Sequence, residues 1–308
     1  PGFIDSHTHA VFGRYRADEY ALRSSGVPYM EIARRGGGIQ ASVRDVRGRT
    51  ENDLVELNRP RLQSMLRLAT TTAEIKSGYG LSTADEVKQL RAVQRLAAEL
   101  PLQIVPTLLA AHEFPAEFRG RRHAYVDLVC DETIPAVAGM ELARFCDVFM
   151  EPGVFDAAQS RRILETGAEH GLVPKLHADE LEHSGGAELA AALNAASADH
   201  LGAISDDGIR ALAESATVAT LLPGTLFFLG RSSYAPARAL RDAGARIALA
   251  SDYNPGSSPS PNMALVLTIA CSQMAPPATP PAADTASAAA AMPHHEHYAR
   301  PDGELPPS

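Results

Sequence analysis

Cysteine, positive charge and long apolar runs are all scarce in this 308-residue chain, and each scarcity excludes a class of protein. The three cysteines, Cys130, Cys146 and Cys271, lie far apart with no C-x-x-C spacing. They exclude a disulfide scaffold and a cysteine-based zinc site, and they fit a reduced, cytoplasmic setting. Lys and Arg number 28 against 37 Asp and Glu, a formal charge of −9. A nucleic acid or an anionic membrane surface would require a basic face, so neither is an expected partner. No run approaches the ~18 apolar residues of a spanning helix. G-x-S-x-G and Walker patterns are missing, and GGGI at 36–39 reads as following a helix-like stretch instead of opening one. Nucleophilic-serine and phosphate-loop chemistry therefore have no support.

Hydrophobic residues make up 45% and charged residues 21%, enough for a large core. The length suits two domains or one α/β barrel of ~250 residues. Short apolar runs at 2–6, 70–76, 102–110, 146–150, 173–177, 196–200, 217–222 and 246–251 read as strands. Helical patterns fall at 51–68, 83–99, 157–170, 186–195, 205–214, 236–243 and 260–273. In 83–99, Val87, Leu90, Val93, Leu96 and Ala97 follow the i, i+3, i+4 rule, with Ser82 or Thr83 as N-cap and Asp85 and Glu86 as first-turn acids. Strands that are apolar throughout, nearly all followed by a helix, predict a parallel sheet covered on its faces. Eight such units predict a closed, TIM-like (β/α)8 barrel over 1–274.

The ends differ from this pattern. The chain opens on Pro-Gly-Phe-Ile-Asp and reads as the middle of something longer. Of the 34 residues from Ala275 to Ser308, 18 are Ala or Pro. Such a segment buries too little apolar surface to offset its ordering entropy and is expected to be disordered.

The polar residues cluster at strand ends. Strand 1 runs into His7-Thr8-His9, strand 2 into Lys76-Ser77-Gly78-Tyr79-Gly80, and strand 3 into His112-Glu113. Strand 5 ends in His177-Ala178-Asp179-Glu180, strand 6 in Asp199-His200, and strand 8 in Asp252-Tyr253-Asn254. In a barrel these ends converge at the mouth, where catalytic groups gather. His123, His170, His183, His294, His295 and His297 scatter elsewhere and have no expected role. His7-x-His9 puts two imidazoles on one face of an extended segment. Adding His177 and Asp252 gives three imidazoles and one carboxylate, a set suited to one Zn²⁺ or Fe³⁺ ion with a position left for water. Strand 4, Phe149-Met150-Glu151-Pro152, has no lysine to bridge a second ion, so one metal is expected. Lys76 reads as a salt-bridged support. Glu180, three residues beyond His177, is placed to act as general base towards water, and His200 to stabilise an oxyanion.

PGFIDSHTHAVF, EIKSGYG, KLHADE, SADH and ASDYNPGSSP together resemble the imidazolonepropionase family of the amidohydrolase superfamily. GGGI at 36–39 and YVDLVCDE at 125–132 extend the resemblance over residues 1 to about 274. It implies a mononuclear site at His7, His9, His177 and Asp252, with Glu180, His200 and Asp252 carrying the catalysis. The implied reaction is hydrolysis of the cyclic amide 4-imidazolone-5-propanoate to N-formimidoyl-L-glutamate, in histidine degradation. Substrate contacts would fall on Arg16, Tyr79, His112, Glu180, Asn254, Gly256 and Ser257. Arg16 offers a planar fork to a carboxylate or ring oxygen, and the amides near Gly256 and Ser257 a nest for a carboxylate. A homodimer is also implied. The family's accessory β-sandwich, built from both chain ends, is expected to be lacking here. Two other readings use the same residues: a deaminase acting on another heterocycle, because His-x-x-Glu is shared, and a truncated metal-binding remnant without catalysis.

Overall fold

The structure, a computed structural model, describes residues 2–27, 31–32 and 36–274. The Ala/Pro-rich segment 275–308 lies outside the described residues. Eight parallel strands follow one another in chain order: β1 (Phe3–Asp5), β2 (Thr70–Lys76), β3 (Gln103–Ala111), β4 (Phe145–Met150), β5 (Val173–Ala178), β6 (Ser197–His200), β7 (Val218–Leu221) and β8 (Ile247–Leu249). The first and last meet at the mouth. Thr8 bridges Tyr253, Asp252 N–H donates to His7 O at 3.0 Å, and His9 N–H donates to Tyr253 O at 2.8 Å. Below them Ser251 donates to the Asp5 carboxylate through both its N–H and its hydroxyl. The sheet is thus a TIM-like barrel whose seam is sewn by the segments that carry His7, His9 and Asp252.

The helices sit where apolar periodicity places them, among them Glu51–Arg67, Thr83–Glu99, Ala157–Glu169 and Met263–Gln273. Ser82 is the N-cap of Thr83–Glu99 and accepts from Asp85 N–H at 3.2 Å. Thr50 and Asp53 form a reciprocal capping box at the start of Glu51–Arg67. Helices at Ala17–Ser24, Ile39–Arg47, Arg122–Leu128, Ile134–Gly139 and Pro223–Phe228 add to those the periodicity predicts. One expectation is corrected: GGGI opens a helix, with Gly38 as N-cap of Ile39–Arg47. Its amide donates to the Glu19 carboxylate at 2.9 Å, so the turn serves an internal carboxylate.

The strands are apolar towards the helices but not towards the barrel axis. Period 2 sends Ala73 and Ile75 of β2 outward into the helical layer, and Glu74 and Lys76 inward. The interior has three layers. At the bottom, Ile4, Val105, Phe145, Val173, Ala196, Val218 and Ala248 form an apolar plug. Above it, Glu74, Lys76, Asp147, Lys175 and Asp199, from β2, β4, β5 and β6, interlock as fully buried ion pairs. On top stand the histidines and Asp252.

Asn58, buried in Glu51–Arg67, anchors the chain leaving β1. Its Oδ1 accepts from Phe12 N–H at 3.2 Å, and its Nδ2 donates to Phe12 O at 3.0 Å and Leu54 O at 2.7 Å. Asn58→Ala should cost on the order of 3 kcal/mol in urea unfolding, because each buried group left unpaired costs about 1–3 kcal/mol.

Candidate active site

At the mouth, His7, His9, His177 and Asp252 converge, all nearly inaccessible to solvent. His9 Nε2 lies 3.5 Å and His7 Nε2 3.7 Å from Asp252 Oδ1, and His177 Nε2 lies 3.4 Å from His9 Nε2. Donor atoms of His7, His9 and Asp252 fall within 4.8 Å of one another, as do those of His7, His177 and His200. His200, placed by sequence among the substrate-facing groups, thus also borders the cluster.

Two of the imidazoles have their far nitrogens committed. His7 Nδ1 meets Asp199 Oδ2 at 2.6 Å and His177 Nδ1 meets Asp147 Oδ2 at 3.0 Å. With the ring proton on Nδ1, each Nε2 presents a lone pair to the centre. His7 Nε2 is buried without a hydrogen-bond partner among the described residues. Burial first, and Lys76 among the neighbouring charges, hold His7 and His9 well below the ordinary histidine range. His9 Nδ1 has no hydrogen-bond partner among the described residues, so its ring can carry the proton there and turn the Nε2 lone pair to a cation beside those of His7 and His177. The donor set fits a divalent metal.

Burial pushes Asp252 up to about 6, against a hydrogen bond from Thr225 at 2.5 Å. Glu180 stands beside the cluster with Oε2 3.7 Å from His200 Nε2. Burial, then the Asp252 and Glu151 charges, raise Glu180 well above the usual carboxylate range, and burial lowers His200 well below the imidazole one. His200 Nε2 has no hydrogen-bond partner among the described residues.

A cavity of about 340 Å³ opens above these groups, lined by Arg16, Tyr79, His112, Glu180, Asn254 and Ser257 together with His9, His177, His200 and Asp252. His112 stacks on His9 with ring centroids 4.9 Å apart, and its Nδ1 meets Gly78 O at 3.0 Å. Tyr79 leans on both rings. Arg16 donates to Ser42 Oγ at 2.7 Å and to Glu19 at 3.1 Å. Gly256 lies against its guanidinium, where a Cβ would overlap it. The amides of Gly256 and Ser257, expected to cradle a carboxylate, instead each donate to Asn254 Oδ1 at 2.8 Å. Asn254 closes its own loop, and Gly256 gives Arg16 room.

Several supporting residues escaped the sequence reading. Glu86, taken for a first-turn acid, is buried and accepts from the N–H groups of Gly78, Gly80 and Leu81, fixing the loop that bears Tyr79. Glu151 accepts from the N–H groups of Glu180, Leu181 and Glu182. Burial raises it to about 7. Asp147 and Asp199 seat two of the histidines. The legible signal was a charged residue inside an otherwise apolar strand, as in Phe-Cys-Asp-Val-Phe-Met.

Burial, with His177 the next cause, lowers His112 to about 3. Because this is below the unfolded value of ~6.5, the stability it contributes is full above that pH and is lost as pH falls towards 3. In the metal-free protein the His112 ring resonances should therefore stay constant from pH 8 to about 5. A titration midpoint near 6 would contradict the packing described.

No family model matches the chain. An imidazolonepropionase of Symbiobacterium thermophilum is 52% identical over 294 residues, 95% of this chain and 69% of that protein. One from Myxococcus xanthus is 51% identical over 271 residues, 88% of this chain and 64% of that protein. The chain thus spans 64–69% of the length of these two curated relatives. Among solved structures, a 5-methylcytosine deaminase of Klebsiella pneumoniae matches with a TM-score of 0.69 at 14% identity, covering 95% of this chain and 75% of that one. An adenosine deaminase of Xanthomonas campestris with bound zinc matches at 0.65 and 17%, covering 94% and 66%. At such identities the structural likeness is one of fold, whereas the sequence relatives carry descent: the chain belongs to the imidazolonepropionase family.

Proposed function

We propose that the chain hydrolyses the ring amide of 4-imidazolone-5-propanoate to N-formimidoyl-L-glutamate. The observation that supports this reading is the convergence of His7, His9, His177 and Asp252 beside Glu180, beneath a cavity lined by Arg16, in a chain 52% identical to an imidazolonepropionase. Zinc or iron held by those four residues would supply Lewis acidity and make water acidic enough to attack at neutral pH.

The chain's own residues do the rest. Glu180 Oε2 takes the proton of the attacking water and delivers it to the ring nitrogen as the C–N bond breaks, so base and acid are one group. His200 Nε2, buried and uncommitted, donates to the carbonyl oxygen as it becomes an oxyanion. Arg16, held by Ser42 and Glu19, pairs with the propanoate carboxylate. Tyr79 and His112 form the wall on which the small heterocycle packs. The fold of residues 1–274 forms one catalytic domain in this reading. Three free cysteines fit a cytoplasmic setting, and the family resemblance carries the homodimer.

The test is turnover of freshly made substrate by the zinc-loaded chain, followed by loss of ring absorbance. A folded, metal-bearing chain that releases ammonia from nucleobases but leaves the imidazolone intact would favour the deaminase reading. One that turns over neither would favour the remnant. Glu180→Gln should keep one equivalent of metal while kcat drops about 10²–10⁴-fold. Gly256→Ala should displace Arg16, raising KM at least about tenfold with metal content unchanged, since it removes a charge-assisted contact worth roughly 1.5–3 kcal/mol.

A further inference from the structure

Beneath the histidines the layer of ion pairs is not evenly connected. Lys76 Nζ lies 2.7 Å from Asp147 Oδ2, 2.7 Å from Glu74 Oε1 and 3.8 Å from Asp199 Oδ2. His177 Nδ1 lies 3.0 Å from Asp147 Oδ2 and 3.1 Å from its Oδ1, and Asp199 Oδ2 is the atom that meets His7 Nδ1. One ammonium therefore borders both carboxylates that orient histidines at the mouth. Lys175 is equally buried and carries the same charge, yet it is wired differently. Its Nζ lies 2.7 Å from Glu74 Oε2, 2.9 Å from Ser6 O and 3.7 Å from Asp199 Oδ2; Lys175 stands beside Asp147 across β4 and β5, but no ion pair joins the two side chains among the described residues.

We infer that Lys76 is a positioning residue for metal binding, joining the Asp147–His177 and Asp199–His7 pairs into one rigid unit. The inference rests on the ligand set proposed above and assigns a role to a residue outside it. An imidazole aims its Nε2 only as well as its Nδ1 partner is fixed, and a carboxylate with a single anchor can rotate about its own axis. Asp147 Oδ1 is held by the His177 N–H at 3.2 Å, Lys76 is the cation that holds Oδ2, and through its ion-pair distance to Asp199 Lys76 sets the two histidines relative to each other. The three carboxylates and two ammoniums of the layer sum to one negative charge. Removing either ammonium leaves two, in a layer that is fully buried. Loss of charge balance is thus common to both lysines, and loss of the Asp147 anchor is particular to Lys76.

The experiment compares Lys76→Met with Lys175→Met in the full chain. It measures Zn²⁺ and Co²⁺ affinity by competition with a chromophoric chelator, and the visible spectrum of the Co²⁺ form. Lys76→Met should bind metal about 10–100-fold more weakly and shift the Co²⁺ bands, as loss of a supporting shell does. Lys175→Met should lose a few-fold at most and keep the bands. Equal losses in the two variants, or wild-type affinity in Lys76→Met, would overturn the inference. Wild-type protein that binds neither ion would instead bring down the ligand assignment on which it stands. If Lys76→Met does not fold, near-isosteric Asp147→Asn, Asp199→Asn and the double variant carry the test. Coupling through Lys76 makes the double loss depart from the product of the single losses by roughly threefold or more. A simple product would sink the inference.

Discussion

An imidazole has two nitrogens, and the whole mouth of this barrel depends on which of them is spoken for. Asp199 and Asp147 occupy the Nδ1 atoms of His7 and His177, so the Nε2 atoms can only face inward and upward. Those carboxylates are themselves buried and would be costly alone. The lysines of the layer below offset them, and the apolar plug lies beneath. The order from bottom to top, apolar, ionic, then imidazole, is what turns an ordinary barrel interior into a seat for a cation.

A second constraint acts on the loops. Several loops that supply cavity residues each surround one buried side chain that collects backbone N–H groups. Glu86 does this for the loop of Tyr79, Glu151 for that of Glu180, and Asn254 for that of Ser257. Asp179 does the same for residues 184–187. The loops gain order without a hydrophobic core of their own. Their cost shows in the backbone. Asp179, His200 and Asp252 adopt φ values of 50°, 82° and 51°, a region unfavourable for residues with a Cβ, and all three lie at strand ends in the mouth.

The fold was largely legible because burial on both faces makes parallel strands read as short apolar runs, and the eight runs match the eight strands closely. The cluster of His7, His9, His177 and Asp252 was legible for a related reason: polar groups ending apolar runs have few places to go in a barrel except its mouth. The ionic layer was legible only at Lys76, which reads as a salt-bridged support and is one, and not at its partners. Lys76 and Asp147 are separated by 71 residues, and neither sequence neighbourhood reveals the other. Glu86 shows the same limit, since an acid in the first turn of a helix satisfies the local rule whether it faces solvent or gathers three amides in the interior. The helix Pro223–Phe228 was missed because its opening Pro-Gly reads as a turn.

The seam between β8 and β1 sets the order in which this molecule can assemble. Ser251 and Asp5, which pin it, are 246 residues apart, and closing so long a loop is entropically unfavourable until nearly all other contacts exist. His7 and His9 leave the ribosome among the first residues of this sequence, and Asp252 near the end of the barrel. The donor set is therefore incomplete throughout synthesis of the first seven strands. The four side chains come together only where the ends of the sheet meet, so the cation site proposed for them would be complete only once that contact has formed.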